Sequence, residues 1–463
     1  MTKLQLPSNL KFPAIRTCPV SLAGLSRAAR GGRLVGATHM CPCAGLDPAS
    51  PALRSTVPFV PYAPGIYEGI SVLAAHDRLI ALRGITLLWG GEEVGLLSHT
   101  PKQFAVVAEK LCIFPDRLYL DLTEGPPTLH DMGPDVPAMD FICAAGNRLF
   151  GCRNADGTVF ASAAGDPCTF TVPSAPTASS PWRTRVSCPG PFTACAAVGA
   201  AVLFFKQTAI CKIMGSAGAG AGSFGVVTYA APGVTPGAHG ALCVREGTAY
   251  YPGPGGIYRF AGNVPENISA DLFRPRPGVP RGFLPTAAVM TPAGQYLCAG
   301  KDATGAHRLF GYDTVGNVWW SEDGEHVVSF AAVGDTVWYL GDDGHVFVRA
   351  DAPADTLFSA TFSSPLRASN GAFPRDNGAK RLWGVTLRAV AAPGTTLGLY
   401  LHRPGDVWSL VSSYTFAGGA SAPAVTVRFP LPPLLPEEGD VFLWRLSGQG
   451  QCCLLDASVT FEE

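Results

Sequence analysis

Charged side chains are scarce in this sequence, and its charge balance and apolar content argue against two classes of protein. Asp, Glu, Lys and Arg make up 15% of the 463 residues, whereas an average soluble protein has about 25%. The formal net charge is −1, so the chain as a whole is not a polycation built to bind phosphate backbones. Apolar residues make up 47%, far more than a disordered chain contains. The sequence therefore predicts a folded protein with a large apolar core.

Long apolar segments are missing as well. The longest, around residues 193–205, is shorter than the roughly 20 residues that a membrane-spanning helix needs. Residues 1–13 lack the apolar core of a secretory signal peptide. The 14 cysteines are spread along the chain, unlike those of short disulfide scaffolds. Many lie in apolar runs, as Cys143 and Cys243 do, and we expect reduced, buried thiols and synthesis in a reducing cytoplasm.

Glycine and proline, in contrast, are abundant. The sequence has 54 glycines and 41 prolines, without the strict three-residue period of collagen. In a helix interior each glycine costs about 1 kcal/mol and each proline about 3 kcal/mol. A helical bundle is therefore excluded, and the composition predicts an all-β protein rich in turns.

A hairpin pattern recurs seven times along the first three quarters of the chain. Each copy has an apolar strand, a short polar or glycine turn and a second apolar strand, and glycine or aspartate supplies the positive φ of such turns. The turns are predicted at His76-Asp77, Glu109-Lys110, Ala145-Gly146, Val198-Gly199, Glu246-Gly247, Ala293-Gly294 and Gly334-Asp335. A further turn often leads to a third strand with an aromatic residue, as at Val159-Phe160, Ile257-Tyr258, Val318-Trp319 and Val346-Phe347.

The spacing of these hairpins averages about 43 residues, within the ~40–50 residues of a β-propeller blade. A long antiparallel meander or two stacked sandwiches would show the same hairpins. We favour the propeller because radial stacking buries both faces of each small sheet and protects its edges. The prediction is a propeller of about seven blades over residues 61–351, partly closed by an N-terminal arm, residues 1–60.

After residue 351 the pattern changes to longer strands that alternate apolar and polar residues. This alternation is typical of half-buried antiparallel strands, and residues 355–463 are predicted to form a small β-sandwich. Leu431–Pro436 is expected to be an extended crossing segment, because proline cannot donate to a sheet ladder. The strands are predicted at Arg381–Val390, Thr396–Leu401, Trp408–Val411, Ala424–Phe429, Val441–Leu446 and Cys452–Val459.

Motifs for chemistry are few, and no catalytic, cofactor-binding or metal-binding residue is predicted. The sequence has no Gly-x-Ser-x-Gly elbow, and its glycine-rich run at residues 215–223 lacks the Gly-Lys-Ser/Thr of a phosphate-binding loop. His39-Met40-Cys41-Pro42-Cys43 has soft ligands, but a structural zinc site needs a second matched pair. Cys452 and Cys453 are far away, and neighbours in a strand point to opposite faces.

Three further motifs have simpler explanations than a binding site. Asn154–Gly157 and Asp342–Gly344 faintly resemble calcium loops, but hairpin-turn chemistry explains them better. Trp319–Gly324 invites comparison with the Asp-box turns of sialidases, although its spacing fails. A glycosidase also needs two carboxylates about 5–9.5 Å apart. The candidates are scarce and mostly adjoin turns, so solvated turn residues are expected at Asp140, Glu246, Asp313 and Asp335.

The order of several motifs resembles one family. The clearest are Asp140–Cys143, Asn147–Cys152 and Ala161–Pro167, followed by Phe204–Gln207, Lys212–Ser216, Tyr250–Tyr251, Gly255–Tyr258 and Phe442–Gly448. Gly32–Val35 and Pro51–Arg54 are similar to the opening segment, although its usual acidic residues are replaced. Over most of its length the chain resembles virion proteins of tailed bacteriophages and prophages, described as packaged-DNA stabilisation or tail nozzle proteins.

The resemblance implies a non-enzymatic virion component that forms a homo-oligomeric ring, often a hexamer, on the portal–tail axis. Such a ring extends the DNA channel, helps to retain the packaged genome, and contacts portal or adaptor proteins and tail fibre or needle proteins. A near-neutral lumen would let DNA slide, because each phosphate contact adds salt-dependent affinity. Two other classes stay open: a peripheral tail module that binds a host receptor or glycan, and a propeller glycosidase or lyase.

Overall fold

The chain folds into two compact units whose described regular secondary structure is almost entirely β-strand. The computed structural model describes residues 15–20, 39–44, 46–47, 53–55, 59–215, 224–270, 282–322, 325–349, 357–365, 381–403, 407–417, 424–431 and 441–462. Within these ranges the one helical element is a 3₁₀ turn at His239–Ala241, and no helix is long and apolar enough to cross a membrane.

We call the two units the propeller unit and the sandwich unit. The propeller unit is formed by Phe59–Val315 and Gly324–Ala350, and the sandwich unit by Met1–Pro58, Gly316–Asp323 and Asp351–Glu463.

The propeller unit is a series of small antiparallel sheets, which we call blades 1 to 7. Blade 1 comprises Ile70–Ala75, Leu79–Arg83, Thr86–Trp89 and Glu92–Leu96. Blade 2 comprises Gln103–Val107, Lys110–Phe114, Leu118–Asp121 and Leu129–Asp131. Blade 3 comprises Phe141–Ala145, Arg148–Arg153, Thr158–Ala161 and Trp182–Arg185. Blades 4 and 5 comprise Phe192–Val198, Ala201–Lys206, Ala209–Met214 and Gly225–Ala230; and Cys243–Arg245, Thr248–Gly253, Gly256–Phe260 and Glu266–Asn267. Blade 6 comprises Leu284–Met290, Gln295–Lys301 and His307–Asp313, and blade 7 comprises Val327–Val333, Thr336–Gly341, Val346–Arg349 and Phe59–Pro61.

The seven predicted hairpins are confirmed, since each forms the first two strands of one blade. The turns have the expected backbone: Glu246 and Gly247 have φ of +48° and +73°, which suits the tight hairpin turns that match strand twist. In blade 2 the turn lies one residue earlier than predicted, because Lys110 already pairs with Val107. In blades 3 and 4 it lies one residue later, because Ala145 still pairs with Arg148 and Val198 with Ala201.

The apolar core lies between neighbouring blades. One cluster joins blade 1 to blade 2, and others join blades 2 and 3, 3 and 4, and 4 and 5. Blade 7 packs on blade 1 through Trp338 and Leu340, which meet Leu73 and Leu79. Each fully buried large side chain contributes about 1.5–3 kcal/mol. Stacking that returns from the last blade to the first is the arrangement of a β-propeller.

A strand from the beginning of the chain completes blade 7. Phe59–Pro61 pairs antiparallel with Val346–Arg349, and the guanidinium of Arg349 lies 4.8 Å from the ring centroid of Phe59. The predicted N-terminal arm thus has two parts. Its last strand belongs to the propeller unit, whereas the strands before Pro58 belong to the sandwich unit.

The predicted third strand of the sixth repeat is wrong. The third strand of blade 6 is His307–Asp313, which pairs with Gln295–Lys301. The strand predicted around Val318-Trp319 does form, as Val318–Glu322, but this segment belongs to the sandwich unit. Trp319 and Trp320 are both fully buried. Aromatic residues in the pattern of a third strand therefore predict burial, but they do not show to which unit the strand belongs.

The sandwich unit contains two groups of hydrogen-bonded strands. The first is ordered Leu46–Asp47, Leu53–Ser55, Cys452–Glu462, Arg381–Ala391 and Val425–Pro430, and Ile15–Val20 also pairs with Cys452–Glu462. The second is ordered Val318–Glu322, His39–Ala44, Leu357–Pro365, Val441–Gln449, Thr396–Arg403 and Val407–Thr415. Alternating residues such as Val385, Leu387, Trp444 and Leu446 are buried. All six strands predicted after residue 380 are present, whereas the predicted crossing segment is described only at Leu431.

The described cysteines are all free thiols. Cys112, Cys152 and Cys298 are buried, and burial raises the pKa of Cys112 to about 12. A thiol with such a pKa stays protonated and unreactive at neutral pH. These residues pack as small hydrophobes, as the sequence predicts.

Candidate functional site

Three side chains with metal-binding atoms meet where blade 6 lies next to blade 7. His307 begins the third strand of blade 6, His326 directly precedes the first strand of blade 7, and Asp342 follows the second strand of blade 7. One ligand atom from each lies within 4.8 Å of the other two. We call these residues the His–His–Asp cluster; among the described residues no other group of His, Cys, Asp and Glu side chains meets this criterion.

The cluster has a defined geometry. The imidazole rings of His307 and His326 stack with centroids 4.0 Å apart and planes 16° apart. His326 Nδ1 lies 2.9 Å from Asp342 Oδ2, and the backbone N–H of Asp342 donates to the carbonyl of His326 at 3.1 Å. The side chains of His326 and Asp342 are 57% and 51% exposed. A ligand can therefore reach the cluster from solvent.

A buried aspartate holds the turn that leads to His307. Asp302 accepts hydrogen bonds from the backbone N–H groups of Thr304 and Ala306 at 2.9 and 3.1 Å. Its other oxygen accepts a bond from Arg308 Nε at 3.0 Å. A carboxylate that accepts several donors in one turn restricts the backbone. The strand that carries His307 consequently starts from a fixed position.

The pKa of His307 is lowered from its usual value. Partial burial is the main cause, and the neighbouring His326 and Lys301 act in the same direction, while Asp342 opposes them. A lowered pKa keeps the imidazole neutral near physiological pH, so one ring nitrogen has a free lone pair. The cluster thus combines a neutral imidazole with a second imidazole and a carboxylate.

Asp302→Asn is expected to lower the melting temperature at pH 7 and to do so less in acid. The hydrogen bond that the Thr304 hydroxyl donates is the main cause that holds the pKa of Asp302 well below its usual 3.8. The stability that the native carboxylate supplies is complete above pH 3.8 and is lost as pH falls through the lower native pKa. Circular dichroism melts between pH 7 and pH 2.5 measure the difference. Asp335→Asn, in an exposed hairpin turn, is the control, and a constant difference for Asp302→Asn over this range would contradict the expectation.

The four carboxylates considered for a glycosidase lie in different blades. Asp140 is exposed and accepts the backbone N–H of Asn154 at 2.6 Å. Glu246 and Asp335 lie in the hairpin turns of blades 5 and 7, where both are exposed. These three are turn residues, as expected. Asp313 differs from the expectation, because it is buried at the end of the third strand of blade 6.

The two turn motifs divide in the same way. Asp156 accepts the backbone N–H of Thr158 at 3.2 Å and pairs with Arg153 at 2.6 Å, and Asp343 accepts the backbone N–H of His345 at 3.0 Å. Hairpin-turn chemistry is therefore confirmed for these two aspartates. Asp342 differs, because its carboxylate faces His326 rather than the backbone of its own turn.

The remaining sequence motifs yield no cluster among the described residues. His39–Ala44 is a strand of the sandwich unit, and the side chains of its histidine and cysteines lie outside the described part of the chain. Cys452 is buried and Cys453 is half-buried. Trp320 Nε1 donates to Glu322 at 3.1 Å, and residues 216–223 of the glycine-rich run are outside the described ranges.

The sequence prediction missed His307 and His326. They stand 19 residues apart, and no recognised metal-binding motif joins them. The available signal was the repeat itself: aligning the sixth and seventh repeats places both histidines near a strand end. Only the stacking of adjacent blades brings those ends together.

Comparison with known proteins finds only distant structural likenesses. No protein-family model and no curated protein matches this chain. Among solved structures, Hsv2 from Kluyvelomyces marxianus is similar with a TM-score of 0.35 and 9% identity, over 58% of this chain and 93% of that one. An exo-β-1,3-galactanase from Phanerochaete chrysosporium has a TM-score of 0.25 and 9% identity, over 68% and 94%. Glutaminyl cyclase from Myxococcus xanthus has a TM-score of 0.22 and 12% identity, over 64% and 96%. The chain is an all-β protein with a β-propeller, and none of these likenesses bears on its function.

Proposed function

We propose that this protein is a non-enzymatic structural component of a tailed phage particle. In this proposal copies of the chain form a ring on the portal–tail axis, where the ring extends the DNA channel and retains the packaged genome. The proposal rests on the family resemblance of the sequence and on an architecture, a propeller with a further β unit, of the kind that the resemblance implies.

The observation that supports it most directly concerns the motif around residues 140–167. Its polar side chains are used to hold the blade together. Arg148 donates to the carbonyls of Ser162, Ala178 and Ser180 at 2.5–2.8 Å, and the Ser162 hydroxyl accepts the backbone N–H of Leu149 at 3.0 Å. Asp166 accepts the backbone N–H of Cys168 and the hydroxyl of Thr169 at 3.0 and 2.6 Å. Hydrogen bonds of this kind hold the backbone of the blade in shape, which supports a structural role for the motif.

Hydrogen bonds through Asn154 also connect blade 3 to blade 4. Asp140 Oδ2 accepts the backbone N–H of Asn154. The Asn154 amide in turn donates to the carbonyl of Phe192 at 3.3 Å and accepts its backbone N–H at 2.6 Å. Phe192 opens the first strand of blade 4. A rigid connection between blades suits a component that must keep a channel open under load.

An uncharged edge strand supports assembly with further copies. Gly225–Ala230 is the last strand in the order of blade 4, and Val226 and Val227 are each 38% exposed. An exposed, apolar strand at the edge of a sheet tends to pair with another chain unless a charge or proline protects it. We take this strand as part of the contact between copies in the ring.

Mass photometry and cryo-electron microscopy of the purified full-length chain test the proposal. The expected result is a closed ring of identical copies. Val227→Lys should shift the distribution towards monomers, since it places a charge on the edge strand. Val264→Lys, at a position that is 80% exposed in a loop, is the matched control and should leave the ring intact. A chain that stays monomeric up to tens of micromolar contradicts the ring. In electron micrographs of phage particles, labelled copies of the chain at the tail periphery would favour a receptor-binding module instead.

A further inference from the structure

The His–His–Asp cluster has the composition of a transition-metal site. We propose that His307, His326 and Asp342 bind one zinc ion, which links blade 6 to blade 7. This inference goes beyond the proposed function and does not depend on it.

The donor set suits zinc better than the hard cations. Imidazole nitrogen is a preferred ligand of zinc and of the neighbouring first-row metals, whereas calcium and magnesium require oxygen ligands almost exclusively. Two imidazoles with one carboxylate leave the fourth tetrahedral position to water, as in zinc sites with three protein ligands. The carboxylate of Asp342 also offsets part of the charge of the ion, which imidazoles alone would not do.

The distances match a tetrahedral ion once one imidazole rotates. Two ligand atoms that are each about 2.0–2.1 Å from zinc stand about 3.3 Å apart at the tetrahedral angle. His326 Nδ1 and Asp342 Oδ2 are 2.9 Å apart, and all three ligand atoms lie within 4.8 Å of one another. The rings of His307 and His326 stack nearly parallel, so one imidazole must rotate before a nitrogen of each can converge on the same ion. The side chains of His326 and Asp342, which are 57% and 51% exposed, leave room for this rotation.

The backbone around the ligands is already held in place. The turn before His307 is fixed by Asp302, as described above. The turn that carries Asp342 is closed by the backbone N–H of Gly344, which donates to Gly341 at 3.1 Å. Binding therefore orders few additional groups, and a low ordering cost favours affinity.

A neighbouring pair provides an internal comparison. His345 Nδ1 lies 3.2 Å from Asp343 Oδ2 in the same turn of blade 7. This pair has the same two residue types and similar exposure, but no third ligand within the required distance is found among the described residues. An exposed His–Asp ion pair by itself binds a metal weakly, so the two pairs should differ sharply in zinc affinity.

Zinc binding to the tag-free, metal-free, full-length protein tests the inference. Competition with a fluorescent zinc chelator is expected to show one site per chain with a micromolar dissociation constant. Cobalt(II) should report the same site by the visible absorption of a four-coordinate N/O complex. His307→Ala, His326→Ala and Asp342→Asn should each weaken zinc binding at least tenfold, whereas His345→Ala should change it less than twofold. Zinc should raise the melting temperature of the wild type but not that of the His307→Ala/His326→Ala double variant.

The cysteines require a separate control, because thiolates also bind zinc. Uptake that persists in the double variant would assign the metal to them and would overturn the inference. Failure of the wild type to bind zinc at 100 micromolar would overturn it as well. The side chains of His326 and Asp342 are more than half exposed and that of His307 is partly buried, so without zinc these variants should melt within about 2 °C of the wild type. If His307→Ala melts more than about 2 °C below the wild type, His307→Gln is used in its place. Ring formation is measured independently, so loss of zinc binding and loss of assembly are distinguishable.

Discussion

Arg148→Ala is expected to lower the free energy of unfolding of the propeller unit by about 3–5 kcal/mol, as breaking a buried charged network does. The Arg148 side chain is buried and donates to the carbonyls of Ser162, Ala178 and Ser180. Burial lowers the pKa of its guanidinium, but an arginine stays charged at all relevant pH values. Alanine would leave a cavity and three carbonyl oxygens without this donor. Urea-induced unfolding followed by near-ultraviolet circular dichroism gives the change.

Two variants isolate the cause. Arg153→Ala removes an arginine of the same strand that forms an ion pair with Asp156. The two side chains of this pair are 36% and 42% exposed, and an exposed pair contributes about 1 kcal/mol or less to stability. Arg148→Lys keeps the charge but cannot span three carbonyls, so its effect should fall between the two alanine variants. If Arg148→Ala and Arg153→Ala cost the same, the role assigned to the buried guanidinium is wrong.

Gly256→Val is expected to destabilise blade 5 by about 3–5 kcal/mol, the sum of overpacking and of an unsatisfied buried N–H. Gly256 has a φ of +154°, and a Cβ there would lie 2.7 Å from both Asn267 Nδ2 and Ser269 Oγ. The Ser269 hydroxyl accepts the backbone N–H of Ile257 at 2.7 Å. Valine would displace this hydroxyl and leave the buried N–H of Ile257 without its acceptor. The shift in the urea midpoint of the propeller unit measures the loss.

Gly247→Val provides the comparison within the same blade. Gly247 has a φ of +73°, and a Cβ at this position meets no atom within 4 Å. Only the strain of a left-handed backbone remains, about 1–2 kcal/mol. From the sequence both glycines are expected to occupy blade turns, and both substitutions are expected to disrupt them. The structure separates a crowded turn from an open one, and equal losses for the two variants would contradict that distinction.

Local signals in the sequence predicted the hairpins well. A turn pair such as Glu246-Gly247 tolerates positive φ at both positions, and such a turn predicts that the strands on either side pair with each other. The exact position of a turn is predicted less well. In blade 3 the turn is formed by Gly146 and Asn147, with φ of +53° and +58°, rather than by Ala145 and Gly146. Asparagine tolerates the left-handed region better than most residues do, so a turn at Gly146 and Asn147 also satisfies the local rule.

Long-range pairings had no comparable signal. The strand Phe59–Pro61 joins a partner almost 290 residues later in the chain, and its three residues carry no mark of that partner. The same holds for Val318–Glu322, whose aromatic residues look like those of any third strand although the segment belongs to the sandwich unit. Short strands become stable only through the sheet that receives them.

The amino-acid sequence by itself determined the all-β class, the turns and the number of repeats, because composition, positive-φ residues and apolar alternation act within a few residues of one another. Only the tertiary structure decided which early strand completes blade 7, that Arg148 joins three carbonyls, and that His307, His326 and Asp342 meet. Each of these depends on the stacking of sheets whose strands lie far apart in the chain. Packing of the blades, rather than any local preference, brings such residues together.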